Sequence, residues 1–97
     1  MTRLDLLPQL APRAPELWQK LSGSVVTDLT LETWTRVLSV NLNGLFHCCK
    51  FGIPMIARSG GGSVINTSSS AGVIGIPKCD AYTASKGATI SLTRSMA

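Results

Sequence analysis

Ser59-Gly60-Gly61-Gly62 separates a helical apolar stripe from a short β-branched segment. Before it, Trp34, Leu38, Leu42, Leu45, Phe46 and Cys49 recur at steps of three and four, which predicts one apolar stripe along a helix. After it, Ser63-Val64-Ile65-Asn66-Thr67-Ser68-Ser69 is short and β-branched, which predicts a strand. Three consecutive glycines disfavour a helix and so mark its end. Thr30 suits the N-cap, with Glu32 placed in the first turn where a negative charge favours the helix dipole. The helix is expected to reach about Arg58, with Pro54 bending it or ending it early. Gly72, Gly75 and Pro77 punctuate residues 70–78 as a loop, and a second helix follows from about Asp80 to Met96. Helix, strand, loop, helix is a slice of an α/β layered fold.

Composition permits a globular chain: 97 residues, 44% hydrophobic and 14% charged. Such a length suits one small domain with a marginal core. The net charge of +4 comes from singly scattered Lys and Arg. No basic run or face marks a nucleic-acid binder, and none is expected as a partner. No run of about 18 apolar residues is present, so no membrane span is expected. Cys48, Cys49 and Cys79 match no zinc spacing even with His47 beside them. An odd cysteine count and no leader-like N-terminus favour a cytoplasmic location. Residues 1–26 read differently from the rest. Pro8, Pro12 and Pro15 interrupt regular structure, and Pro15 to Leu21 is expected as a short helix closed by Gly23.

Tyr82 and Lys86 stand four residues apart on the second predicted helix, which puts them on one face. A phenol ionises near pH 10 in water, too high for a base at neutral pH. An ammonium close by favours the phenolate, by roughly 4 kcal/mol at about 4 Å and an effective dielectric near 20. The pair thus has the form of a general acid–base device. Ser69 sits where the strand is expected to end, the side of an open α/β sheet at which ligands bind. Asn41 lies within the apolar stripe, where a polar side chain needs a partner, a water or a task. Gly60-Gly61-Gly62 precedes the strand and is therefore a turn, not a phosphate loop. Thr83-Ala84-Ser85-Lys86 echoes the S-x-x-K of acyl-enzymes, but Thr stands where the nucleophile should be.

Three stretches carry a family resemblance. They are Val40-Asn41-Leu42-Asn43-Gly44, Val64-Ile65-Asn66-Thr67-Ser68-Ser69-Ser70-Ala71-Gly72 and Ala81-Tyr82-Thr83-Ala84-Ser85-Lys86-Gly87. In order and spacing they resemble the active-site signature of the short-chain dehydrogenases/reductases, over about residues 27–97. The resemblance implies a Rossmann-type doubly wound parallel sheet, of which this chain would be a helix–strand–helix slice. It implies NAD or NADP as cofactor and hydride transfer between an alcohol and a ketone. It makes Tyr82 the general acid/base. Lys86 would assist it and hold the nicotinamide ribose. Ser69, rather than Ser68 or Ser70, would orient the substrate oxygen, and Asn41 would hold a water extending the relay toward Lys86. The backbone around Thr67 would lie near the nicotinamide, and residues 73–79 would border the substrate.

The glycine-rich T-G-x-x-x-G-x-G turn with which that family begins has no counterpart here. Where its N-N-A-G segment should stand, the chain reads Leu21-Ser22-Gly23-Ser24-Val25-Val26. The expectation is a fragment or truncated product. Residues 1–26 would be a non-matching N-terminal segment, and 27–97 a partial NAD(P)-binding domain. A lone strand would lack ladder partners, so poor stability is expected. The competing readings are a non-catalytic chain that associates with itself or with a full-length homologue, and an inert gene remnant.

Overall fold

The structure, a computed structural model, describes residues 24–97; the short helix expected over 15–21 lies outside them. Four α-helices are present among the described residues: α1 Leu31–Leu38, α2 Gly44–Arg58, α3 Ala71–Ile74 and α4 Asp80–Met96. A π turn, Ser39–Asn43, joins α1 to α2 without a break. It is closed by the Gly44 N–H donating to the Ser39 carbonyl, five residues back.

Local chemistry accounts for the ends of these helices. Thr30 is extended and its Oγ1 accepts from the Thr33 N–H at 3.1 Å, which makes it the N-cap of α1 as its sequence position predicts. Glu32 occupies the first turn and lies 4.0 Å from Arg36. Pro54 is tolerated inside α2, which runs on to Arg58. The helix stops at Gly60, whose φ of 101° is left-handed. The Gly60 N–H donates to Ala57 and the Gly61 N–H to Ile56, the paired bonds of a Schellman stop. The triple glycine is therefore a helix terminator.

The strand expected over 63–69 does not form. Residues 61–69 run without regular structure, and no strand is found among the described residues. A ladder needs a neighbour, and none of the described residues supplies one. Ile65 is consequently 90% exposed and Val64 44%. Side chains tether the segment instead. Asn66 Nδ2 donates to Thr93 Oγ1 at 3.0 Å, and Ser68 Oγ to the Lys86 carbonyl at 2.7 Å. Thus the expected α/β slice shows no sheet among the described residues, whose regular structure is helical.

α4 is the element on which the rest packs. It meets α1, the π turn and α3. Its buried residues, Ala81, Ser85 and Thr89, are small and recur every fourth position, so neighbouring backbone can come close. α3 uses that room. A Cβ on Gly72 would lie 2.7 Å from the Lys86 carbonyl carbon and oxygen and 2.9 Å from the Gly87 nitrogen. The expected loop over 70–78 thus contains a short helix, stopped by Gly75 at φ 72°. The predicted stripe on α1 and α2 is only partly covered. Cys49 is buried, Trp34, Leu38, Leu42 and Leu45 are half-buried, and Phe46 is exposed.

Asp80 fastens the start of α4 to the preceding segment: its Oδ2 accepts from the Val26 N–H at 2.7 Å, and its own N–H donates to Ser24 at 3.2 Å. No helix among the described residues is long and apolar enough to cross a membrane.

Two substitutions test this packing. Gly72→Ala must push α3 off α4 and should lower unfolding free energy by about 1–3 kcal/mol. Thr30→Ala, which removes one cap, should cost about 1 kcal/mol. Urea titrations followed by circular dichroism measure both.

Candidate active site

The site is built around the first two turns of α4. Tyr82 and Lys86 share one face, and the Lys86 ammonium lies 5.6 Å from the centroid of the Tyr82 ring. This is cation–π distance and brings the charge to the phenol, as the four-residue spacing predicts. Lys86 is held at two points. Its Nζ donates to the Thr67 carbonyl at 3.3 Å, and its own carbonyl accepts from Ser68 Oγ at 2.7 Å. Segment 61–69, though it forms no strand, thereby delivers two consecutive residues to the lysine.

Asn41 reaches α4 from the π turn. The π turn that contains it adds a residue to the helical repeat and so changes which way its neighbours face. Asn41 Nδ2 donates to Ser85 Oγ at 3.1 Å, and Ser85 Oγ donates to the Tyr82 carbonyl at 2.7 Å. The expected polar partner of Asn41 is thus a serine hydroxyl. No hydrogen bond joins Asn41 directly to Lys86 among the described residues.

Ser69 lies next to Ser68 at the entrance to α3. Its Oγ accepts from the Ala71 N–H at 3.2 Å, and its carbonyl accepts from the Gly72 N–H at 3.0 Å. This local turn uses one lone pair of the hydroxyl and leaves its proton for another acceptor. α3 then presents Val73 and Ile74, each 75% exposed, on the loop that follows Ser69.

Asn41, Thr67, Tyr82 and Lys86 are therefore drawn together by hydrogen bonds and the ring contact. Ser69 is tied in through Ser68 and through the Gly72 contact with α4. Ser68, Ser85 and Gly72 carry this arrangement, and none of them stands among the site residues that the sequence predicts. In the sequence Ser85 is a helix residue three after Tyr82 and Ser68 one of three consecutive serines, with nothing to single out either hydroxyl.

A cavity of about 430 Å³ lies elsewhere, between the end of α2, residues 61–66 and the end of α4. Ile53, Ile56, Val64 and Met96 make it apolar. Its Thr93 border is about 16 Å along α4 from Tyr82. It is the space beside the unpaired segment, toward the far end of α4 from Tyr82. No group of three or more His, Cys, Asp or Glu that could hold a metal exists among the described residues.

The family match spans these residues. The family model for short chain dehydrogenases matches residues 2–97, so the match begins upstream of the motifs. The chain belongs to the short chain dehydrogenase family. It is 41% identical over 70 residues to a cyclohexanol dehydrogenase of Acinetobacter sp., a match covering 72% of this chain and 28% of that relative. It is 45% identical over 73 residues to an NADP-dependent (R)-specific alcohol dehydrogenase of Lentilactobacillus kefiri, covering 74% and 29%. It is 38% identical over 71 residues to a 2-dehydro-3-deoxy-L-rhamnonate dehydrogenase (NAD(+)) of Sphingomonas sp., covering 73% and 28%. The matched stretch thus spans less than a third of each of these relatives.

Ser68→Ala removes one tether from Lys86 and should cost about 1 kcal/mol of stability, read by urea denaturation.

Proposed function

We propose that these residues form the proton-transfer part of an NAD(P)-dependent oxidoreductase that interconverts secondary alcohols and ketones. The observation that carries this reading is the convergence on α4. Tyr82 and Lys86 share a face, Thr67 holds the lysine, and Asn41 is anchored through Ser85. The family and the dehydrogenase names of the relatives support the same chemistry.

The donor set fits the ribose end of such a cofactor. The Lys86 ammonium has three N–H donors and spends one on Thr67, which leaves two for a pair of hydroxyls. Tyr82 on the same face adds a hydroxyl. When bound, NAD(P) supplies the hydride acceptor or donor. The chain's own part is position and proton transfer. Ser69 donates its O–H to the substrate oxygen. Tyr82 takes the proton from that oxygen in oxidation and returns it in reduction. Lys86 keeps a positive charge beside the phenol and holds the ribose hydroxyls. Asn41 offers an acceptor for a water on the path toward Lys86. Val73 and Ile74 form an apolar wall after Ser69, which suits an apolar alcohol or ketone. Relatives named for NAD(+) and for NADP both occur, so either dinucleotide is a fitting probe.

Fluorescence titration with NADH and NADPH tests the binding half. Saturable binding is expected, weakened about tenfold or more by Lys86→Ala, a loss of about 1.4 kcal/mol or more. Titrations that are flat, or blind to Lys86→Ala, contradict the reading. Tyr82→Phe should lower turnover of a secondary alcohol by about 10²–10⁴-fold while leaving dinucleotide binding in place.

A further inference from the structure

We propose that Ser85 is a positioning residue that sets the direction in which Asn41 faces the site. Its functional meaning rests on the oxidoreductase reading above, while its form rests on hydrogen-bond geometry alone.

Ser85 is 0% exposed, and water does not reach it. A serine hydroxyl has one proton and two lone pairs. In the structure the proton goes to the Tyr82 carbonyl 2.7 Å away. Toward Asn41 the hydroxyl therefore offers only a lone pair. The Asn41 amide has two distinct ends, and only Nδ2 can donate. The 3.1 Å contact from Nδ2 is the orientation that satisfies both groups. Turning the amide over would either set two acceptors against each other or draw the Ser85 proton off the Tyr82 carbonyl, so one hydrogen bond of the pair would be lost in this part-buried contact. Oδ1 is thus directed away from Ser85, as an acceptor for a water or an ammonium. The amide's polarity, and with it the direction of any proton path past Asn41, follows from one buried hydroxyl.

A purely local role does not explain this serine. Helix hydroxyls often bond back to the preceding turn and do no more. Thr89 is such a case, donating to the Ser85 carbonyl at 3.0 Å. Ser85 differs because it also receives a side chain from 44 residues away in sequence. The same oxygen touches the Tyr82 carbonyl, so the placement of Tyr82 on α4 and the orientation of Asn41 are coupled.

Side-chain amide hydrogen exchange, read by ¹H–¹⁵N NMR on the full 97-residue chain without cofactor, tests the assignment. Asn43 is exposed in the same π turn and serves as the internal reference. The Asn41 amide should exchange about tenfold or more slower than that of Asn43. Ser85→Ala should abolish the difference while the backbone spectrum stays dispersed, and Ser85→Thr, which keeps the hydroxyl, should retain it. A serine that merely supported the helix would shift backbone signals and leave the Asn41 protection in place. Protection surviving Ser85→Ala overturns the proposal, as does its absence in the wild type or in a folded Ser85→Thr protein. A wild-type spectrum without dispersion overturns it too. If Ser85→Ala does not fold, the wild-type and Ser85→Thr comparisons decide. The dinucleotide titration reads the oxidoreductase assignment separately, so failure of one is not failure of the other.

Discussion

Close approach to α4 is the constraint on which the described structure depends. Ala81, Ser85 and Thr89 leave room along one side of this helix, and Gly72 brings the α3 backbone against Lys86 and Gly87. Larger residues at these positions would hold the neighbouring elements away, and short hydrogen bonds could not span the gap. With the gap closed, Ser68 reaches the Lys86 carbonyl and Asn41 reaches Ser85. The same small residues therefore permit the packing and assemble the polar cluster. Burial alone would not hold these parts in register, because the buried apolar residues among those described are few and, apart from Val37, small.

Tethering by side chains compensates in part for the absent sheet. Residues 61–69 have no ladder among the described residues, yet Asn66 and Ser68 bond directly to α4, and Thr67 accepts from Lys86. Each such bond contributes on the order of 1 kcal/mol, less than a paired strand would. Ile65 stays in solvent for the same reason. The polar cluster is thus fixed at one end of α4, while the apolar cavity by Thr93 and Met96 lies open at the other.

Helix positions and the glycine stop were legible because they depend on local signals. Thr30 as a cap, Gly60 as a left-handed terminator, and the extent of α4 follow from residues within a turn of each boundary. The predicted strand does not form because β-branching at Val64, Ile65 and Thr67 is a preference that only a neighbour can realise. The π turn escaped notice because an extra residue in a helical repeat leaves the apolar spacing nearly intact. α3 escaped because four residues carry too little periodicity. Asn41, Tyr82 and Lys86 stood out by type and spacing. Ser68 and Ser85 did not, since a serine's role depends on which groups surround its hydroxyl, and that is settled in three dimensions.

The central claim is that the Tyr82–Lys86 face of α4 holds the nicotinamide ribose of a dinucleotide. Saturation-transfer difference NMR with NADH or NADPH tests it most directly, since it maps which protons of the dinucleotide lie against the protein. The account predicts the strongest transfer to the nicotinamide and its ribose, with that signal lost in Lys86→Ala. Transfer confined to the adenine end, or a pattern unchanged by Lys86→Ala, would contradict it.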